Sequence, residues 1–178
     1  MSEVLDRYRE LADAFSARVD AVSDEKWSAT APCEGWVARD VVAHVVNGER
    51  GMVLGEQDAL PDGVDLKTAW KETRAKVEAL AADPAKMAEV VETPLGSMPR
   101  EQLVGSLVSM DLLVHTWDLA RAIGADERLH PEAVAAAYET LKPMDAMIRM
   151  PGVFGPKITP PAGADLQTEF LSFTGRKV

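Results

Sequence analysis

Apolar residues recur every three or four positions through most of the chain, which predicts helices joined by turns. Val4, Tyr8, Leu11, Phe15, Val19 and Val22 trace one stripe over residues 2–22, and Ser23-Asp24 breaks it. Pro32 and Gly35 mark a loop over 30–36. A second helix is expected over 37–54, with Asp40 in its first turn, where a carboxylate suits the helix dipole. Pro61-Asp-Gly63 reads as a turn. Asp65 then caps a third helix that carries Leu66, Trp70, Val77 and Leu80 on one face and ends at Asp83-Pro84. Residues 90–99 are the one β-like stretch, an extended piece or small hairpin. A fourth helix is expected over 99–123, stopped by Gly124. A fifth is expected over 131–150, kinked or broken at Pro143. A Pro/Gly-rich tail follows, with a short terminal helix over 166–173. The expected fold is therefore all-α: a helical bundle with a short β-like segment and an irregular C-terminal tail. Residues 1–178 are expected to form one domain.

Composition narrows the class. The apolar fraction is 47% and the charged fraction 27%, ordinary for a globular protein. A formal charge of -10 argues against nucleic acid or an anionic membrane as partner. No run approaches the roughly 18 uninterrupted apolar residues of a membrane span, and the acidic start Met-Ser-Glu-Val-Leu-Asp has no signal-peptide pattern. A cytoplasmic protein is expected. The single cysteine, Cys33, excludes an internal disulfide.

The candidate chemistry lies on the second and fourth helices. Asp111 and His115 are four apart, so a helix puts both on one face, one turn apart. His44 sits in the apolar run Val41-Val-Ala-His-Val-Val46, where an imidazole without a partner is costly. The chain has only three histidines. Two imidazoles and one carboxylate suffice for a divalent metal with an open coordination position, and suit Zn, Ni or Fe(II) alike. Bundles build such sites from inward side chains of facing helices. The competing reading is two satisfied core histidines and a solvated aspartate. Asp118 is open between a fourth ligand, an acceptor for a histidine N–H, and a surface pair with Arg121. Cys33 has no base nearby in sequence and reads as a small loop or core residue. His130 is assigned no chemistry. Trp27, Trp36, Trp70 and Trp117 read as core rather than a stacking platform, and Met144, Met147 and Met150 as packing. No phosphate loop, dinucleotide fingerprint or Gly-x-Ser-x-Gly elbow is present.

The block Pro32-Cys-Glu-Gly-Trp-Val-Ala-Arg-Asp-Val-Val-Ala-His44 resembles the N-terminal segment of the mycothiol-dependent maleylpyruvate isomerase family, within the DinB-like superfamily of metal-binding four-helix bundles. Asp111-Leu-Leu-Val-His-Thr-Trp-Asp-Leu-Ala-Arg121 resembles it too. Thr93-Pro-Leu-Gly-Ser-Met-Pro99, Phe154-Gly-Pro-Lys157 and Phe173-Thr-Gly-Arg176 look like an actinobacterial branch of the family. The resemblance spans nearly the whole chain. It implies a DinB-like four-helix bundle with metal ligands at His44, Asp111 and His115. The isomerase has Glu at the acidic position, so the shorter Asp111 must come closer or act through water. Val37 stands where the family has a helix-capping hydroxyl.

The resemblance further implies a divalent metal, Zn foremost, that binds the thiol of mycothiol or a similar low-molecular-weight cofactor. The expected activity is an isomerisation or S-transfer on an electrophilic small molecule. The expected partners are that molecule and the thiol, with no nucleic acid and no membrane; a homodimer is left open. Two other readings stand beside it: a metal hydrolase with Asp118 as general base, and a non-catalytic metal-binding or dimerising module.

Overall fold

The computed structural model describes residues 3–93, 96–149 and 154–178. In chain order the elements are α1 (Glu3–Asp20), α2 (Ala38–Gly48), α3 (Leu66–Ala81), α4 (Pro84–Ala88), β1 (Val90–Thr93), β2 (Gly96–Pro99), α5 (Arg100–Leu103), α6 (Ser109–Ile123), α7 (Pro131–Leu141) and α8 (Leu166–Phe173). α1 and α2 each pack on both α3 and α6, which closes a four-helix ring. α7 and α8 pack on each other beside it. The fold is the all-α bundle expected, with one short hairpin.

The stripe on α1 supplies Leu5, Tyr8, Leu11, Phe15 and Val19 to the core. Phe15 meets the Trp70 ring of α3 edge-on at 4.9 Å. α3 starts at Asp65, whose carboxylate accepts the Lys67 N–H at 3.1 Å. Asp165 caps α8 in the same way, through the Thr168 N–H at 2.8 Å. α6 ends at Gly124, which takes the left-handed conformation (φ 73°) that a side chain would resist. The β-like segment is an antiparallel hairpin with Thr93 opposite Gly96 and Val90 opposite Pro99.

Three departures from the sequence reading have local causes. Asp83-Pro84 ends α3 but also opens α4, because the Asp83 carboxylate accepts the N–H groups of Ala85 and Lys86. The fifth helix stops at Leu141 and gives way to 3₁₀ turns at Lys142–Met144 and Met147–Arg149. Pro143 lacks the N–H that an α ladder needs there. The second and fourth helices are continuous rods, but each carries one π-helical turn, at Glu49–Val53 and Val104–Val108. Ser2, Pro94, Leu95, Met150 and Pro151 lie outside the described residues. Among the described residues no helix is long and apolar enough to cross a membrane.

Candidate metal centre

The loop before α2 aims two residues at the centre. Thr30 bridges Val37, and the Ala31 N–H reaches the Trp36 carbonyl at 2.9 Å. This closes a turn in which the Trp36 N–H donates to the Cys33 carbonyl and Gly35 adopts φ 77°. α2 then begins at Ala38. Asp40 accepts the Val37 N–H at 2.9 Å, and Val37, without a hydroxyl, returns nothing.

α2 and α6 bring the three expected residues together. Asp111 Oδ1 lies 3.4 Å from His44 Nε2 and 3.3 Å from His115 Nε2. Donor atoms of the three all lie within 4.8 Å of one another. Two ligands at about 2.05 Å in tetrahedral geometry stand about 3.3 Å apart, so the observed spacing fits a zinc-like ion. Asp111 reaches both imidazoles directly, despite its short side chain. His44 is not in hydrocarbon as expected. Its side chain is 42% exposed, because Val41, Val42, Val45 and Val46 take the buried side of α2 and leave it at the rim.

Asp118, in contrast, is fully buried. It does not pair with Arg121, which instead binds Glu127. Its Oδ2 stands 2.9 Å from His115 Nδ1, and the Arg176 guanidinium grips both of its oxygens, at 2.8 and 3.2 Å. Cys33 is no isolated loop residue. Its thiol donates to Asp118 Oδ2 at 3.3 Å, and Arg176 Nη2 lies 3.6 Å from the sulfur. Cys33, His115 and Asp118 also cluster closely enough to hold a cation, but the Arg176 charge already fills that role. Trp36 belongs to the site rather than to the core. Its ring stacks on His115 (5.9 Å, 18°) and tilts over His44 at 5.0 Å.

The charges reinforce the arrangement. Burial opposes ionisation of Asp118, but His115 and Arg176 outweigh it and hold the carboxyl at about 2. Burial likewise opposes the charge of Asp111, and the two imidazoles still pull its pKa well below the usual carboxylate range. His115 is desolvated, yet Asp111, Asp118 and Cys33 together push its pKa well above the ordinary imidazole value.

Glu49 and Arg176 were given no role from the sequence, and Trp36 was read only as core. Glu49 follows His44 by five residues, in the π turn, and is 3% exposed. Tyr8 donates to its Oε2 at 2.9 Å, while its Oε1 has no partner among the described residues. Burial, with the Asp111 charge adding to it, raises its pKa to about 8 although the Tyr8 hydrogen bond opposes the shift. The signal was Tyr8 itself, since a hydroxyl on a buried stripe requires an acceptor. Met144 and Met147 line an apolar cavity of about 440 Å³ with Met98, Met110 and Leu113, on a different face of α6 from His115.

Comparison with known proteins bears on the family and the fold. Residues 8–68, which include His44, match the family described as mycothiol maleylpyruvate isomerase N-terminal domain. The uncharacterized proteins MT0763 and Rv0738, from two strains of Mycobacterium tuberculosis, are each 34% identical over 125 residues, covering 67% of this chain and 67% of theirs. The chain belongs to the mycothiol maleylpyruvate isomerase N-terminal domain family. Among solved structures, a crystal structure of the mycothiol-dependent maleylpyruvate isomerase aligns with a TM-score of 0.60 at 17% identity, over 82% of this chain and 71% of that one. A mutant of that isomerase gives 0.61 at 15% identity, with the same coverage. At such identities the likeness is one of fold, and it places this family member among helical bundles of the isomerase type.

Proposed function

We propose that the protein is a divalent-metal-dependent enzyme that uses a low-molecular-weight thiol of the mycothiol class to isomerise, or transfer sulfur to, an electrophilic small molecule. The observation that carries this is the convergence of His44 Nε2, Asp111 Oδ1 and His115 Nε2 at spacings suited to one ion. His44, Asp111 and His115 would hold the metal, with Zn the best match to the donor set and Ni or Fe(II) compatible with it. When bound, the metal would supply charge that deprotonates a coordinated thiol. The chain then needs no nucleophile of its own, which fits a single cysteine already engaged with Asp118 and Arg176. His115 is oriented by Asp118, and Trp36 walls one side of the pair of imidazoles. His44, at the exposed rim, marks the side from which thiol and substrate arrive. We further assign residues 1–178 to one functional domain.

Asp118 is badly placed as the general base of a hydrolase, because it is buried and its oxygens are occupied by His115 and Arg176. The test is elemental analysis of tag-free protein, with His115→Ala as control. About one equivalent of metal is expected in wild type and none in the variant. The Co(II)-loaded protein should then develop a thiolate-to-metal absorption band on addition of mycothiol. Absence of metal after reconstitution would overturn the metal reading, and a spectrum insensitive to thiol would overturn the thiol.

A further inference from the structure

Asp118 receives four donors on two oxygens: His115 Nδ1, Arg176 Nε and Nη2, and the Cys33 thiol. Arg176 comes from the last three residues of the chain and arrives there by a built turn. α8 ends with Thr174 as its final half-helical residue. Gly175 follows at φ 85°, its N–H bonding the Ser172 carbonyl, and the Arg176 N–H bonds the Leu171 carbonyl at 2.8 Å. This is a complete Schellman closure. A Cβ on Gly175 would lie 3.0 Å from the Pro156 carbonyl oxygen, so the tail passes close against the segment beneath it. The guanidinium also donates to the Thr174 carbonyl and lies 5.6 Å over the Phe154 ring.

We propose that Asp118 and Arg176 are positioning residues for the metal centre, so that the C-terminal turn sets the affinity of a site built from α2 and α6. The proposal rests on the metal reading above. Asp118 holds the Nδ1–H of His115, which directs Nε2 toward His44 and Asp111 and makes it the atom that would ligate a metal on giving up its proton. An outer carboxylate of this kind fixes the tautomer and the ring orientation of a ligating histidine. Without Arg176, Asp118 would be a buried carboxylate with half its partners gone and free to rotate. The two-oxygen grip of the guanidinium holds it in one rotamer, which a lysine ammonium does not reproduce. The side chains meet across 58 residues, and the turn at Gly175 delivers Arg176 to Asp118.

The experiment compares wild type, Asp118→Asn and Arg176→Lys as full-length, metal-loaded proteins. Zinc affinity is read by chelator competition, the ligand field by the visible spectrum of the Co(II) form, and folding by far-UV circular dichroism and Tm. The Asn amide puts an N–H₂ among four donors, so His115 or Arg176 loses its acceptor. The expected result is a loss of about 10- to 100-fold in zinc affinity for Asp118→Asn, with an altered Co(II) spectrum. Arg176→Lys is expected to lose several-fold at unchanged helix content. Folded variants that bind zinc within about twofold of wild type, with an unchanged spectrum and only a lower Tm, would show a purely structural pair and overturn the proposal. If Asp118→Asn does not fold, Arg176→Lys decides alone. Failure of wild type itself to bind zinc or cobalt would instead sink the metal reading, and this proposal with it.

Discussion

Glu49 gives a quantitative test of how the bundle interior is wired. Its carboxyl is 3% exposed, holds one hydrogen bond from Tyr8, and leaves Oε1 unpaired. Burial first, and the charge of Asp111 second, raise its pKa from 4.5 to about 8. The folded protein therefore keeps this proton at pH values where the unfolded chain has lost it. Stability is undiminished below about pH 4.5, falls as pH rises, and levels off once pH passes about 8. A separation of this size corresponds to at most about 5 kcal/mol. Relaxation around a charged Glu49 reduces the figure, and roughly 2–5 kcal/mol is the range to expect. Glu49→Gln removes the titration while keeping the shape and the Tyr8 bond. The measurement is urea unfolding of both proteins, with chelator present, at pH 5, 6, 7, 8 and 9. The stability of the variant relative to wild type should climb by that amount between pH 5 and pH 8 and then flatten. A difference that stays flat across the series, or that falls with pH, refutes the account of a desolvated, protonated Glu49.

Two further outcomes follow from the site. Gly175→Ala places a Cβ in the left-handed region and 3.0 Å from the Pro156 oxygen, and should cost roughly 1–3 kcal/mol in urea or thermal unfolding; an unchanged Tm would remove the strain argument. Trp36 stands 5.0 Å from the His44 ring and 5.9 Å from that of His115, so stoichiometric Cu(II) or Co(II) should quench indole fluorescence in wild type and much less in Trp36→Phe; equal quenching in both would place the metal elsewhere.

Helical periodicity made much of this legible. The i, i+4 spacing of Asp111 and His115 fixed their common face as soon as α6 was recognised, and the apolar run around His44 placed it on the facing helix. The same run misjudged the exposure of His44, since four valines on one side of α2 push the remaining positions to the rim. Arg176 could not be read as part of the site. Its partners Cys33 and Asp118 lie 143 and 58 residues away, and only the packing of the tail beside α6 unites them. Cys33 looked inert because its neighbours in sequence are not its neighbours in space. Glu49, where the π turn begins, follows Val45 and Val46 by four and three residues, so helical periodicity already put it on the buried stripe of α2, and that position was left unread.

That change of pitch has a consequence for how the chain tolerates length variation. A π turn holds one residue more than the α-helix it interrupts, and each residue of an α-helix turns the chain by about 100°. Deleting one residue within 104–108 would let α5 and α6 fuse into a regular helix with its backbone hydrogen bonds intact. Because the wide turn takes up its surplus residue within about the same rotation as one residue fewer of α-helix, the β1–β2 hairpin would keep close to its bearing on Asp111 and His115 instead of swinging by about 100°. The hairpin's bearing on the centre is thus buffered against the loss of one residue at this place. Relatives with one residue fewer there should be regularly helical along this rod and carry their hairpin on the same side.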